Sequence, residues 1–201
     1  MAAQPVLEHT GRQRLTVEEW RVLERESHNV KHEYIDGTVY AMAGGSQAHS
    51  GIAVNLIATL HTALGDGPCR VYNSDVATRV STSRSTYADA AVVCSEEGSV
   101  ARREETEIDS PRVIFEVLSD STERIDRGRK WDDYRGCPSM EEYVLVGTAY
   151  QRVEVYRRTA EGWGMFHIHG PSDEVELLSI NVRFKVAALY RRTDVPQTAP
   201  E

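Results

Sequence analysis

Two acids and a lysine are the residues of this chain whose types and spacing could do chemistry. Glu116 stands inside the apolar run Val113-Ile114-Phe115-Glu116-Val117-Leu118, and Asp89 is set among Ala88, Ala90, Ala91 and Val92. A carboxylate taken out of water costs several kcal/mol or gives up its charge, so each acid needs a cation, a metal or a set of donors opposite it. For Glu116 alone, an internal ion pair with an arginine would be enough. Two such acids on neighbouring strands, about 4.8 Å apart, would enter one crevice from the same sheet face and repel each other. A divalent cation removes the repulsion, and Mg²⁺ is commonly held by one or two carboxylates, waters and substrate phosphates. The pair therefore points to phosphodiester chemistry, with Mg²⁺ or Mn²⁺ at Asp89 and Glu116.

Lys130 follows on a helix that begins after the cap-rich turn Ser119-Asp120-Ser121-Thr122, which can bring its ammonium back over the acids. In such a site the metal acts as a Lewis acid, orients the scissile phosphate and makes a bound water more acidic. Lys130 either positions that water or stabilises the extra negative charge of the transition state. Asp126, Lys130 and Tyr134 fall at successive i+4 steps, so Asp126 and Tyr134 are placed to orient the lysine.

Other polar residues carry two readings each. His49, near the start of a helix, either touches the crevice or a phosphate, or serves as a capping or packing residue. Arg124, Arg127, Arg129 and Arg135 surround Lys130 and either supply a local phosphate-binding field or make a solvated helix face. Arg79 and Arg84 share that ambiguity. His167 and His169 have the spacing of a metal pair on one strand face, but no Cys or acid pattern completes it.

The elements that must position these residues are legible. Thr16 with Glu19 forms a capping box for a helix over about 16–26. Asp36-Gly37 between apolar pairs marks a hairpin. Ile52, Leu56, Ile57 and Leu60 have helical spacing in a second helix from Gln47 to Leu64, with Gly65 as its stop. Strands are expected at 70–80, 86–94 and 112–118, a helix from Thr122 to Arg135, then strands at 141–147, 152–158, about 163–169 and 174–180, and a last short helix from Val186 to Tyr190. The pattern predicts an α/β or α+β fold, a mixed central β-sheet flanked by helices. Residues 14–191 are expected to form one domain between loose tails at 1–13 and 192–201.

Composition narrows the classes. The 31 acidic residues against 23 Lys and Arg give a formal charge of −8, so no general basic field draws in nucleic acid or an anionic membrane. Any polyanion must be held locally. Cys69, Cys94 and Cys137 are widely spaced, odd in number and form no C-x-x-C, which argues against a disulfide framework or zinc knot and suits a reducing compartment. No signal-peptide core precedes residue 14 and no run of roughly 18 apolar residues occurs, so a soluble cytoplasmic protein with no membrane partner is expected.

Taken in order, Ala88-Asp89, Glu116-Val117-Leu118-Ser119, Asp126, Lys130 and Tyr134 resemble the PD-(D/E)XK nuclease superfamily, and within it the Uma-two family of restriction endonucleases. The blocks Leu15-Thr16-Val17-Glu18-Glu19-Trp20, Glu33-Tyr34-Ile35-Asp36-Gly37, His49, Asp89, 113–134 and Glu142-Tyr143-Val144-Leu145-Val146 are similar to that family's blocks over most of the chain. The resemblance implies a restriction-endonuclease-like fold, Asp89 and Glu116 as metal-binding acids, and Glu33 as an accessory acid. The superfamily lysine stands two residues after the acid, where this chain has Leu118, and Lys130 would be its displaced counterpart. Ala88 occupies the position that the motif's name gives to proline. DNA is the implied substrate, with RNA not excluded, and cutting both strands makes a homodimer plausible. A rival reading keeps the fold as a catalytically inactive binding module. A carboxylate-pair glycosidase fits poorly, having no need of the lysine helix.

Overall fold

Helix α1 (Val17–Glu26) begins where Thr16 and Glu19 satisfy each other's backbone: Thr16 Oγ1 accepts the Glu19 N–H at 3.2 Å, and Glu19 Oε2 accepts the Thr16 N–H at 2.7 Å. Its buried Trp20 donates through Nε1 to the carbonyl of His32 at 2.8 Å, pinning the helix to strand β1 (His32–Ile35). β1 turns into β2 (Thr38–Ala41) through Asp36 and Gly37, whose φ values of 49° and 88° are those a two-residue hairpin of this hand demands. The computed structural model describes residues 14–42, 44–95, 102 and 104–199, so the tail expected at 1–13 lies outside the described residues.

Helix α2 (Gln47–Leu64) is capped by Ser46, whose Oγ accepts the His49 N–H at 3.1 Å, and it stops at Gly65 with φ 52°. Ile52, Leu56 and Leu60 are fully buried along one stripe, each contributing about 1.5–3 kcal/mol by leaving water. They pack on a six-stranded sheet ordered β11-β10-β9-β8-β6-β3. Its strands are β3 (Cys69–Asn73), β6 (Ala90–Cys94), β8 (Val113–Val117), β9 (Glu142–Val146), β10 (Val153–Thr159) and β11 (Gly162–His169). All neighbours are antiparallel except β8 and β9, which run parallel because a helical crossover joins them. Helix α5 (Val186–Leu189) and the β12 (Glu174–Leu177)–β13 (Val182–Lys185) hairpin share α2's side of the sheet. Tyr134, Tyr143 and Trp131 fill the other.

The fold is mixed α+β, as the pattern implies, but the described residues divide their strands among three sheets rather than one. The apolar stretch at 70–80 is cut by a turn after Asn73, so β3 joins the large sheet while β4 (Ala77–Ser81) joins a five-stranded one ordered β2-β1-β5-β4-β7. The stretch at 86–94 is likewise two strands: β5 (Arg84–Thr86) pairs with β1, and β6 begins only at Ala90. Strand β7 (Glu107–Ile108) completes the smaller sheet. Runs of small and apolar residues disclose extended chain but not the sheet it joins, because long-range pairing decides that.

Two expectations need correction. Cys69 and Cys94 do form a disulfide: they are directly opposed on antiparallel β3 and β6, with Cα atoms 4.0 Å apart. Sequence spacing carries no register information, so pairing across 25 residues was invisible in it. Residues expected as a loose C-terminal tail also pack down, since Val195 is buried in the main core and the Gln151 N–H donates to the Pro196 carbonyl at 2.8 Å. Among the described residues, no helix is long and apolar enough to cross a membrane.

Candidate active site

Asp89 lies where the chain leaves the smaller sheet for the larger. The β6–β8 register pairs Ala90 with Phe115, so Asp89 falls just past the last pair, beside Glu116. Its Oδ2 accepts the backbone N–H of Val117 at 2.7 Å and lies 3.3 Å from Nε2 of His49. His49 comes from the first turn of α2, and Gly45 makes room for its ring: a Cβ there would stand 2.9 Å from Nδ1. The two acid-bearing segments are thus tied to each other and to the start of α2.

The helix after β8 is not uniform. Short α3 (Glu123–Ile125) gives way to a π-helical turn over Asp126–Lys130 before α4 (Trp131–Arg135). Such turns recur at functional sites because they re-aim side chains. Tyr143 Oη donates to the Asp126 carbonyl at 3.1 Å and holds the turn against the sheet. Lys130 Nζ therefore reaches Glu116 Oε1 at 3.0 Å, with Asp126 Oδ1 at 3.5 Å and Glu33 Oε1 at 3.6 Å. Tyr134 Oη donates to the same Glu116 oxygen at 2.7 Å and is backed by Thr86 Oγ1 at 3.1 Å.

Glu33, Glu116 and Asp126 are at most 5% exposed and Lys130 is 9% exposed. Burial pushes Glu116 well above the ordinary carboxylate range; Asp126 and Asp89 add to the rise, and Lys130 and Tyr134 oppose it. Asp126 is raised by burial too, against Lys130 and Thr122. For Lys130 burial works against the ammonium, but Glu116, Glu33, Asp126 and Asp89 outweigh it and hold the group well above its usual value. Asp89, which accepts its hydrogen bond, raises His49 against burial. Burial and crowding of like charge act together here. Four carboxylates around one ammonium carry more negative charge than the site balances. Arg129, with Nη2 3.8 Å from Glu33, offsets only part of it.

The acids open into a cavity of about 560 Å³, rimmed by Gly44–Ser46, Ser119–Thr122 and Thr148-Ala149. Glu33 Oε1 and Asp126 Oδ1 are buried with no hydrogen-bond partner. Hard oxygen donors in surplus, two of them facing only the Lys130 ammonium at 3.5 and 3.6 Å, fit a divalent cation. Among the described residues, no group of three or more His, Cys, Asp or Glu side chains is placed to hold a metal ion by itself. Asp89 and Glu116 would share such an ion with water and substrate oxygens.

The family model named Uma2, described as "Putative restriction endonuclease", matches residues 17–188 of the chain. The chain belongs to the Uma2 family. Two uncharacterized Synechocystis proteins are similar to it: slr1290 is 36% identical over 174 residues, spanning 86% of this chain and 88% of its own, and sll1609 is 30% identical over 147 residues, spanning 73% and 83%. The fold is shared with a crystal structure from Anabaena variabilis described as "a putative nuclease belonging to DUF820", with a TM-score of 0.68 at 18% identity, covering 88% of this chain and 97% of that one.

In this Uma2 fold, Asp89, Glu116, Lys130, Glu33, Asp126 and His49 all line one cavity, and Tyr134 backs it through Glu116. Arg127 is the candidate the fold does not bring there. It makes a bidentate pair with buried Glu154 at 2.7 and 2.6 Å and holds Glu123 at 2.7 Å, so its charge is spent on the flank of the sheet. Arg79 pairs with Asp109, and Arg84 with Asp36 and Asp133. Arg129 is the arginine of that helix that lines the cavity, with its guanidinium 5.0 Å above the Tyr40 ring. Sequence reasoning missed the Gly44-Gly45-Ser46 rim, although paired glycines before a helix whose first turn has no acid were a usable signal.

Proposed function

We propose that the protein is a metal-dependent endonuclease that hydrolyses DNA phosphodiester bonds. The observation that carries this reading is the convergence of Glu33, Glu116 and Asp126 on one buried ammonium in a cavity that Asp89 also lines. Membership of the Uma2 family supports it. Asp89 and Glu116 hold Mg²⁺ or Mn²⁺, which supplies Lewis acidity toward the phosphate and the attacking water. Lys130 stays an ammonium, so it works by charge on the phosphate oxygens and not as a base. Glu33, with an oxygen free of hydrogen bonds beside Lys130, is placed to orient the attacking water. Tyr134 and His49 act through others, fixing Glu116 and Asp89.

Cutting both strands of a duplex takes two copies of the site, which is the argument for a homodimer, and exposed Met165 and Ile168 on edge strand β11 offer apolar surface for one. A cytoplasmic location stays the proposed one, although the Cys69–Cys94 disulfide removes the cysteine argument for it. The test of function is DNA cleavage by the purified protein in Mg²⁺ or Mn²⁺, its absence in EDTA, and its loss in Asp89→Ala.

A further inference from the structure

The acid cluster is recessed. Glu116 and Asp126 are 2% exposed, Glu33 5% and Lys130 9%, whereas the rim at Gly44–Ser46 is exposed. A scissile phosphate must therefore enter the cavity to meet these groups. In a continuous duplex the bases are stacked and paired, the rod is stiff over about 150 base pairs, and removing one nucleotide from the stack costs a few kcal/mol. An unpaired strand avoids that cost and bends freely.

Charge points the same way. Glu33, Asp89, Glu116, Asp120 and Asp126 line the cavity with Arg129 and Lys130, in a chain of net charge −8. A duplex, with a phosphate charge about every 1.7 Å, is bound chiefly through many basic contacts. The rim here instead offers neutral donors: the hydroxyls of Ser46, Ser119 and Ser121, and the N-terminus of α2, whose first turn has no acid; the Thr148 hydroxyl is already given to the Leu118 carbonyl. Those donors can hold one phosphate group without adding positive charge. Met42, Tyr87 and Ile125 supply apolar wall for a sugar and base, and a volume of about 560 Å³ is the size of a small-ligand site.

We propose that the site takes an unpaired DNA strand, one nucleotide entering the cavity at a time, and that continuous duplex is a poor substrate. The inference rests on the metal-dependent nuclease reading above. The reaction is unchanged: a P–O bond to the water oxygen forms, the P–O bond to the deoxyribose oxygen breaks, and one water proton ends on that oxygen while the other is released from the new phosphate monoester. One copy of the site cuts a single strand, so the two-strand argument for a homodimer does not apply to this substrate.

The experiment uses the full chain and three labelled substrates of one sequence: a single-stranded oligonucleotide, the same strand in a blunt duplex, and a duplex with a central mismatched bubble, each in Mg²⁺ and in Mn²⁺. The expected result is an initial rate on the single strand at least about tenfold above that on the blunt duplex, the advantage expected when no base need be unstacked, with cuts in the third substrate confined to the bubble. Equal or faster cutting of paired DNA overturns the proposal and leaves metal-dependent hydrolysis standing. No metal-dependent cutting of any of the three by folded protein overturns both.

Discussion

Nζ of Lys130 lies 3.0 Å from Oε1 of Glu116, across 14 residues of sequence, and both side chains are almost wholly out of water. The π-helical turn that ends at Lys130 is what directs the lysine onto the strand carrying the acid. A buried pair of this kind is held together by its own vulnerability: each charge is tolerable only while the other is present.

Lys130→Met keeps much of the side-chain volume and removes the ammonium. Taking away one member of a buried pair costs about 3–5 kcal/mol, and here Glu33, Glu116 and Asp126 all lose a counter-charge. The variant should unfold at lower urea than wild type at neutral pH in EDTA, and the deficit should shrink toward pH 5 as Glu116 and Asp126, whose carboxyls burial raises, take up protons. Equal stability at both pH values would mean that the ammonium does not balance these acids.

Divalent cations should stabilise the wild type by binding the folded site alone, with Tm rising in Mg²⁺ or Ca²⁺ over EDTA. Asp89→Asn keeps an oxygen able to accept the Val117 N–H and removes one like charge. Its Tm in EDTA should equal or exceed that of wild type, and its metal-dependent rise should vanish. A variant that melts higher than wild type in EDTA and in Mg²⁺ alike, with no rise in either protein, would argue against a metal site.

The pH dependence follows from Glu116. Its carboxyl is raised in the folded state above its value of 4.5 in the unfolded chain, so the folded protein binds the extra proton. The stability this contributes is complete below pH 4.5 and is lost as pH rises through the folded value. Glu116→Gln cannot lose it. In EDTA, the stability of the Gln variant relative to wild type should therefore grow as pH rises from 4.5 toward neutrality, as read from denaturation curves at several pH values. Parallel curves would show that the buried site does not favour the neutral acid.

Thiol counting tests the β3–β6 link. Denatured, unreduced protein should titrate one thiol, from Cys137, rather than three. Closing a loop of 25 residues stabilises a fold by about 3.5 kcal/mol on chain-entropy grounds, so reduction should lower the urea midpoint. Three thiols in freshly purified protein would return Cys69 and Cys94 to the reduced state that the cysteine count suggested.

What the sequence disclosed and what it hid have separate physical origins. The capping box at Thr16, the Asp36-Gly37 turn and the stripe of α2 are local, decided by a few neighbouring residues, and they stand where their residues indicate. The acids were conspicuous because a carboxylate among apolar residues needs a partner. The break that sets Asp89 between two sheets, the π-helical turn that aims Lys130 and the capture of Arg127 by Glu154 all depend on residues far away in sequence. Thr122 illustrates the limit. It stands at the helix start as a cap residue should, but makes no capping bond; its hydroxyl serves Asp126 and meets Ser119 instead.

In the proposed reaction, Asp89 and Lys130 serve one metal-dependent hydrolytic site. The most direct measurement is cleavage of circular single-stranded and supercoiled plasmid DNA by wild type, Asp89→Ala and Lys130→Ala in Mg²⁺, Mn²⁺ and EDTA, with folding of each checked by circular dichroism. Wild type should cut in a metal-dependent way, and both variants should be at least about a hundredfold slower, in line with the loss of about 2.7–4 kcal/mol seen when a charge-stabilising group is removed. Folded wild type that cuts neither DNA in any metal, or folded variants that cut as fast as wild type, would contradict this reading.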